Sequence, residues 1–385
     1  MKVLHIASLR QASSNSGVVQ QMEWEQLAAH KAGLPWSVEL WTIEAPQAGS
    51  ILHQVPRAMR GFIGRRLHLH LRLRSVAREY DQIIIRHAPL DLFSIFLPNW
   101  VQHKSSYVFH TKTGDYLMSR GKRFGSVFAW LDRLFTRRMI KNSRGIIGVT
   151  EELVKYELNR LGDPSVKSSV YPNGIFLTDW ETPIADRREG ALKVVFIASH
   201  FFEWNGLETL LDSIVNTPTD TAWELHLVGR LMPQQLSIIS RHSLTDRIFV
   251  HGVLDETRIA DLMSSMDLSL GAFALDKIKL RTACTLKVRE SLGAGVAVYA
   301  GHIDVGVMNF PNCYSVGPAD WTTILAKAAE SRQREKAEIR RAARPRIDKV
   351  ELLKALYHRF LDSEHRQSSL NTKKKNSREA DIDTC

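Results

Sequence analysis

The sequence predicts an α/β protein built from two Rossmann-like domains, and three features carry that prediction. Short apolar runs alternate with helix-length stretches, the alternation occurs in both halves, and an irregular polar stretch separates the halves. In the first half the strands are "KVLHIAS", "SVELWTI", "QIIIRHA", "SYVFHT" and "GIIGVT", with helical patterns at 17–32, 57–79, 123–141 and 151–161. In the second half they are "LKVVFIAS", "WELHLVGR", "RIFVHGV", "LSLGAF", "VAVYAG" and "CYSVG", with helices at 206–215, 233–242, 255–265, 286–294 and 320–330. Strand followed by helix in this order argues parallel sheets covered on both faces. The expected boundaries are a first domain over 1–180, a second over 190–345, a closing helix over 346–362 and a tail over 363–385. The polar stretch near 178–190 links the two domains. Residues 331–360 are rich in Arg, Lys, Glu and Ala, with Pro345 as a break. From Ser363 the chain is polar and lysine-rich, a composition that predicts disorder.

The 385 residues, 44% of them apolar, suffice for two cores. Cys284, Cys313 and Cys385 have no metal-ligand spacing and an odd count, so no zinc site or disulfide framework is expected and a reducing compartment fits. The opening "MKVLHIASLR" has too short an apolar run for a signal peptide and reads as a buried strand. The best approach to a membrane span, "IIIRHAPLDLFSIFLPNWV", is interrupted by Arg86, His87 and Asp91. A cytoplasmic protein is expected, at most peripheral on the inner face of the plasma membrane. The net charge is +11, and residues 1–185 hold most of it, with 24 Lys and Arg against 15 Asp and Glu. A basic half-molecule implies an anionic partner: lipid headgroups, a phosphorylated acceptor or nucleic acid.

The segment "TACTLKVRESLGAGVAVYAG", residues 282–301, carries the most chemistry. A small-residue loop leads into a helix near Leu286, offering free N–H groups and a positive dipole end to a phosphate. Glu290, one turn further on, is placed to accept hydrogen bonds from two ribose hydroxyls. A plain helix-to-strand connection with a solvated glutamate has the same pattern. Gly17, after "SSNS", suits either a close approach to a ligand or a simple βα turn. His110 ends a strand and enters the loop "TKTGDYL", which also carries Asp115; ligands meet that edge of doubly wound sheets, although a buried structural histidine is equally at home there. Residues 57–78 have no acid and mix Arg57, Arg60, Arg65, Arg66, Arg72, Arg74 and Arg78 with Phe62, Ile63 and four leucines. Residues 120–144 place Arg120, Lys122, Arg123, Arg137, Arg138 and Lys141 around Phe124, Phe128, Trp130 and Phe135. Such stretches suit an interfacial helix on anionic lipid, with Arg65, Arg66, Arg72, Arg74 and Arg123 as contacts, or core-packed helices with solvated basic faces.

Residues 282–301 resemble the donor-site signature of retaining glycosyltransferases of family 4, which have the GT-B fold, in particular the variant "LKVREYLAAGLPVV". Further pieces occur in matching order: "KVLHIASLRQASSNSGVVQQ", "VYPNGI", "VVFIASHFFEWNGLETLLDSI", "LHLVGR", "IFVHGV" and "MSSMDLSL". The likeness spans roughly residues 1–345. It implies two domains with parallel sheets facing across a cleft, a C-terminal helix closing back toward the first, and a nucleotide-sugar donor site mostly on the second. Glu290 matches the second glutamate of the family's E-x7-E motif, implied to hold the ribose, while the first glutamate falls on Thr282. The Arg and Lys that clamp the diphosphate fall on His200 and Asn205. Lys287, Arg230 and Arg281 are the candidate replacement cations. Thr285, Leu286 and Gly206 line the same implied site, and His110 matches the histidine that contacts the donor sugar.

The resemblance implies retention at the anomeric carbon without a metal or other cofactor, the nucleotide-diphosphate sugar being a substrate. No D-x-D stands at a strand end, which agrees. The expected activity is transfer to a glycan or lipid-linked acceptor in cell-surface polysaccharide or lipopolysaccharide biosynthesis. The departures at Thr282, His200 and Asn205 also suit a non-catalytic relative that has lost donor binding. No helix-turn-helix, zinc-finger or RNP pattern supports nucleic acid, and no G-x-G-x-x-G supports a dehydrogenase.

Overall fold

The computed structural model describes residues 1–10, 17–44, 50–120, 124–177, 189–217, 219–308, 310 and 313–361, with 119 and 120 as backbone alone. The expected linker at 178–190 lies mostly outside the described residues. So do the loop "SSNS", Lys122, Arg123 and the tail. The chain forms two compact units. One comprises Met1–Gly148, Leu153–Tyr171 and the chain from Val350 on; the other comprises Val149–Glu152 and Pro172–Lys349.

The first unit holds a seven-stranded sheet: β1 (Val3–Ser8), β2 (Trp36–Thr42), β3 (Leu52–Gln54), β4 (Gln82–Arg86), β5 (Ser105–Phe109), β6 (Gly145–Gly148) and β7 (Ser168–Val170). The order is β3-β2-β1-β4-β5-β6-β7, every pairing parallel. Its helices are α1 (Gly17–Lys31), α2 (Phe62–Val76), α3 (Asn99–Gln102), α4 (Thr113–Arg120), α5 (Gly125–Lys141) and α6 (Glu151–Leu161). Ile83, Ile84 and Ile85 are buried on both faces of β4, as a central parallel strand requires. On one face Leu4, Ile6, Ile83, Ile85, Tyr107 and Phe109 meet Leu69, Leu73, Met139, Ile140 and Val154 in a continuous core.

The helix expected over 57–79 divides into a 3-10 turn, Arg57–Met59, and α2. The chain doubles back there so tightly that a Cβ on Gly64 would stand 2.8 Å from the Met59 backbone. The strands β3 and β7 and the short helices α3 and α4 have no counterpart in the sequence pattern; all span eight residues or fewer, too few for a period to register. A helix over 349–361 belongs, from Val350, to the first unit. There Tyr357 donates to the Met1 carbonyl at 2.9 Å and Phe360 stacks on Trp36.

The second unit holds β8 (Leu192–His200), β9 (Trp223–Arg230), β10 (Ile248–Gly252), β11 (Leu268–Leu270), β12 (Ala297–Ala300) and β13 (Tyr314–Val316), in the order β10-β9-β8-β11-β12-β13. All these pairings are parallel. Helices α7 (Leu207–Asn216), α8 (Pro233–Arg241), α9 (Glu256–Ser264), α10 (Leu286–Gly293), α11 (Trp321–Arg332) and α12 (Lys336–Ile347) accompany it. Pro345 lies inside α12 and the break falls three residues later, at extended Asp348. Lys336 is buried and donates to the carbonyls of Met263 and Ser264, capping the end of α9.

The join between α10 and β12 is a Schellman cap. Gly295, at φ 74°, donates to the Leu292 carbonyl, and Val296 to that of Ser291. A Cβ on Gly295 would stand 2.5 Å from the Lys336 carbonyl. Gly295→Ala therefore costs at least about 1–2 kcal/mol for the left-handed backbone alone. The expected outcome is a lowered urea midpoint at unchanged m-value. An unchanged midpoint would show that the cap contributes nothing.

In the first unit a buried polar network ties α5 and α6 to the sheet. Asp132 accepts from the Leu90 amide at 2.7 Å and from Arg160 at 2.9 Å; Arg160 also pairs with Glu157. His87, beside Asp132 and Arg160, packs on the Phe109 ring, its Nε2 3.3 Å from the Thr136 hydroxyl. Burial pushes its pKa down to about 4. The folded state thus binds fewer protons than the unfolded chain between pH 4 and 6.5. Stability contributed by the neutral imidazole is present above pH 6.5 and is lost as pH falls toward 4. His87→Gln should flatten that part of the stability profile, measured as urea midpoint against pH; an unaltered slope would contradict it.

Candidate functional site

In the second sheet chain order reverses between β8 and β11, and ligands of doubly wound folds bind where that reversal opens the carboxyl edge. The loops leaving these two strands meet there. The Asn205 carbonyl accepts from the Phe273 amide at 2.9 Å, and the Trp204 carbonyl from Ala274 at 3.3 Å. Gly206 is left-handed at φ 75°, and a Cβ on it would stand 2.9 Å from Phe273, so both backbone shape and space demand glycine. Asn205 is buried and its Oδ1 has no hydrogen-bond partner. His200 and Arg230 end β8 and β9 opposite each other in register, both exposed. The His200 ring stacks on Phe202, which stacks in turn on Trp204.

The loop before α10 is held from below. Thr282 pairs with Ile303 in a β-bridge, and the Asn173 amide group donates to the Cys284 carbonyl at 2.7 Å. Arg289 is fully buried. Its guanidinium reaches the carbonyls of Asn173 (3.1 Å) and Thr285 (3.3 Å) and makes a two-pronged pair with Asp304. Burial alone would lower the pKa of Arg289; Cys284 and Asp304 beside it more than offset this and raise it, so the charge is permanent. Burial pushes the Cys284 thiol up to about 11, which leaves it unreactive at neutral pH.

Thr285 is the N-cap of α10 and uses no side-chain cap, so the first-turn N–H groups beginning at Leu286 are open to a ligand. Lys287 is half exposed and reaches Glu290 at 2.9 Å. Glu290 itself is 2% exposed. The solvated surface glutamate that the sequence pattern also allowed is therefore not what this position holds. Thr282 donates from its amide (2.8 Å) and its hydroxyl (2.5 Å) to Oε2 of Glu152, a carboxylate of this same unit. Arg281 is exposed, its carbonyl bonded to Ile303.

The fold thus places His200, Asn205 and Gly206 in the segment that leaves β8 at the switch point, with Arg230 of β9 beside His200, and Thr282, Thr285, Leu286, Lys287 and Glu290 around one helix end. Gly17, His110 and Asp115 lie in the first unit, where each follows a strand of its sheet. Gly17 is the exposed first residue of α1, and half-buried His110 follows β5 directly. Asp115, in the first turn of α4, accepts from Tyr156, whose pKa burial and this carboxylate push up to about 12. Among the described residues no group of His, Cys, Asp and Glu is arranged to hold a metal ion.

The basic stretch 57–78 is more engaged than its sequence suggests. Arg66 donates to the carbonyls of Ala88 and Pro89 and covers the Phe62 ring; Arg72 grips Glu39 with two nitrogens. Arg74 is exposed, Arg65 is half-buried, and Arg123 lies outside the described residues. Sequence reasoning passed over Arg289, Asp304, Asn173 and Glu152. The only sequence signal was a charged residue, Arg289, set between helix positions read as functional.

No protein-family model and no curated protein matches the sequence. Solved structures match over nearly the whole chain. A glycosyltransferase from Rickettsia africae ESF-5 has a TM-score of 0.65 at 12% identity, covering 92% of this chain and 97% of that one. Anabaena Alr3699/HepE in complex with UDP and glucose has a TM-score of 0.64 at 15% identity, covering 93% and 99%. The apo form of the lipopolysaccharide outer core galactosyltransferase WaaB has a TM-score of 0.62 at 11% identity, covering 94% and 100%. The likeness is one of fold, and the fold is GT-B, as the sequence resemblance implied.

Asp304→Ala leaves a buried, unpaired guanidinium at the root of α10, a change that costs about 3–5 kcal/mol. The expected result is a lower urea midpoint together with alkylation of Cys284, followed on its peptide by mass spectrometry. A thiol as protected as in the parent protein would show that the pair does not hold this loop.

Proposed function

We propose that this protein is a glycosyltransferase. In this reading it moves a sugar from a nucleotide-sugar donor to a glycan or lipid-linked acceptor, with retention and without a metal, in cell-surface polysaccharide or lipopolysaccharide biosynthesis. The observation that carries the reading is Glu290: a buried carboxylate one turn inside a helix whose N-terminus is open while its root is fixed by Arg289. The fold's neighbours support it, since one was solved with UDP and glucose and another is a lipopolysaccharide galactosyltransferase.

The donor's diphosphate sits at Thr285–Lys287, where N–H groups and the helix dipole favour an anion. Glu290 accepts from the two ribose hydroxyls. Lys287, which rests on Glu290 without donor, swings to the phosphate, trading one anion for another. Arg230 and Arg281 supply further positive charge in place of the cations missing at His200 and Asn205, and Gly206 admits the ligand to the backbone. Glu152, bonded to Thr282, returns a carboxylate to the position where the family motif carries its first glutamate. The bond from the anomeric carbon to the phosphate oxygen breaks, and the nucleoside diphosphate leaves with its charge stabilised by the helix end and the cations. The acceptor hydroxyl forms the new bond on the same face and passes its proton to the departing phosphate oxygen. By the sequence resemblance, His110 serves the reacting sugar, and Asp115 of the same loop is a second polar candidate. An anionic membrane is the proposed setting for a lipid-linked acceptor, and nucleic acid is no partner.

Nucleotide sugars are screened by thermal shift and the hits measured by calorimetry and turnover. Glu290→Gln should weaken binding of the preferred donor about 10- to 100-fold, the loss of one good hydrogen bond to a charged group, with near-UV dichroism unchanged. Failure of every nucleotide sugar to bind the parent protein, or full affinity in Glu290→Gln, would overturn the reading.

A further inference from the structure

The stripe of α2 that faces the first sheet ends in a charge. Leu69 and Leu73 of α2 pack with Leu4 and Ile6 of β1 in the core of this unit. One helical turn before Leu69 the same stripe carries Arg65, and two residues after Ile6 the same row of the strand carries Ser8. The chain leaving α2 returns to the amino end of β1, where Asp81 and Gln82 donate to the Lys2 carbonyl. The start of α2 therefore lies at the carboxyl edge of β1. Chain order in this sheet reverses between β1 and β4, and that edge is where doubly wound sheets take ligands.

The polar groups at this edge lack partners. Among the described residues, Ser8 Oγ, Arg65 Nε and His68 Nδ1 are buried atoms without a hydrogen bond. They lie together: Ser8 stands opposite Trp41 in the ladder of β1 and β2, and the His68 ring is 4.5 Å from the Trp41 ring. The charged groups that act on Arg65 and His68 are themselves cations. Burial, and after it the neighbouring Arg10, pushes the pKa of Arg65 down; burial and Arg72 do the same to His68. Glu39 of β2 is already taken by two nitrogens of Arg72 and by the Trp41 indole, and Asp91 by His70. Helix α2 has no side-chain cap at Gly61 and no acid in its first turn, so its positive dipole end adds to the field. Buried polar atoms are nearly always paired. Three that are not, set among cations, leave a place for an anion.

We infer that Ser8, Arg10, Arg65 and His68 form a binding site for a phosphate monoester on the first unit. The two guanidinium groups neutralise the dianion. The Ser8 hydroxyl, the Arg65 Nε–H and the His68 ring, with its proton on Nδ1, donate to its oxygens. Three terminal oxygens suit donors arriving from a strand and a helix better than the two coplanar oxygens of a carboxylate. In the glycosyltransferase reading the donor's diphosphate lies on the second unit, so this phosphate belongs to the acceptor, a phosphorylated sugar. That assignment rests on the proposed function; the site itself does not.

Binding is measured by calorimetry with inorganic phosphate and with glucose 6-phosphate, and with glucose as the uncharged control. No nucleotide sugar is present, so failure of the donor reading would leave the result untouched. Both phosphates should bind the parent protein and glucose should not. Arg65→Gln should weaken phosphate binding at least about tenfold, the loss of a charge-assisted hydrogen bond. Ser8→Ala should weaken it severalfold, as should His68→Phe, which keeps a ring against Trp41. Arg138→Gln, at an exposed position of α5, should leave it unchanged. Without phosphate the urea midpoint of Arg65→Gln should equal or exceed that of the parent, because a partly buried cation beside Arg10 has been removed; phosphate should raise the midpoint of the parent alone. No binding of phosphate, or full affinity in Arg65→Gln, would refute the site. Displacement of phosphate by UDP and not by glucose 6-phosphate would assign it to the donor's diphosphate and overturn the acceptor assignment. Binding of dispersed phosphatidylglycerol, but of neither phosphate, would overturn the monoester.

Discussion

The pair between Arg289 and Asp304 is the contact on which the shape of the second unit's candidate site depends. A full charge stands at zero exposure inside a parallel α/β layer, and only a two-pronged carboxylate with two carbonyl acceptors makes that tolerable. Its geometry joins three distant pieces of chain: the "PNG" turn at Asn173, the cap residue Thr285, and the loop after β12 that carries Asp304. With these fixed, the first turn of α10 faces a defined direction, and Glu290, the next residue along, has its position set by its neighbour. An arginine suits this better than a lysine, because a planar fork satisfies a carboxylate and carbonyls at once.

A second constraint shapes the first unit in the same way. Asp132 and Arg160 form the polar centre that locks α5 and α6 to the sheet, and that lock determines which side of α5 meets water. Both units thus use a buried ion pair to orient a helix rather than to gain net stability, since well-packed apolar residues would serve stability as well. The helix so oriented in the second unit, α10, has an N-terminus without a side-chain cap and a buried carboxylate, and α5 turns Val127, Trp130 and Leu134 away from Asp132.

The resemblance of residues 282–301 to a donor-site signature was enough to locate the helix end, and "VVFIASHFFEWNGLETLLDSI" located the switch-point loop. What those segments left unexplained was their departures. Thr282 looked like a lost carboxylate, and the structure brings Glu152, 130 positions earlier in the chain, to its amide and hydroxyl. Arg66 and Arg72 looked like free surface charge, and the structure spends them on Ala88, Pro89 and Glu39. Pairings of this kind have no period and no motif, because they depend on which loops meet once the sheets have formed.

The sequence by itself determined the fold class, all the strands but β3 and β7, the long helices, and the segments that form the candidate site. Period, turn residues and apolar runs are local, and they act before tertiary contacts exist. Only the tertiary structure decided which charges are paired, that Glu290 is buried, and that α5 turns Asp132 inward and Trp130 outward. A helical wheel shows where residues lie around an axis, but it does not say which side the rest of the chain will cover. Here that was settled by a carboxylate, Asp132, finding Arg160 and the Leu90 amide in the interior.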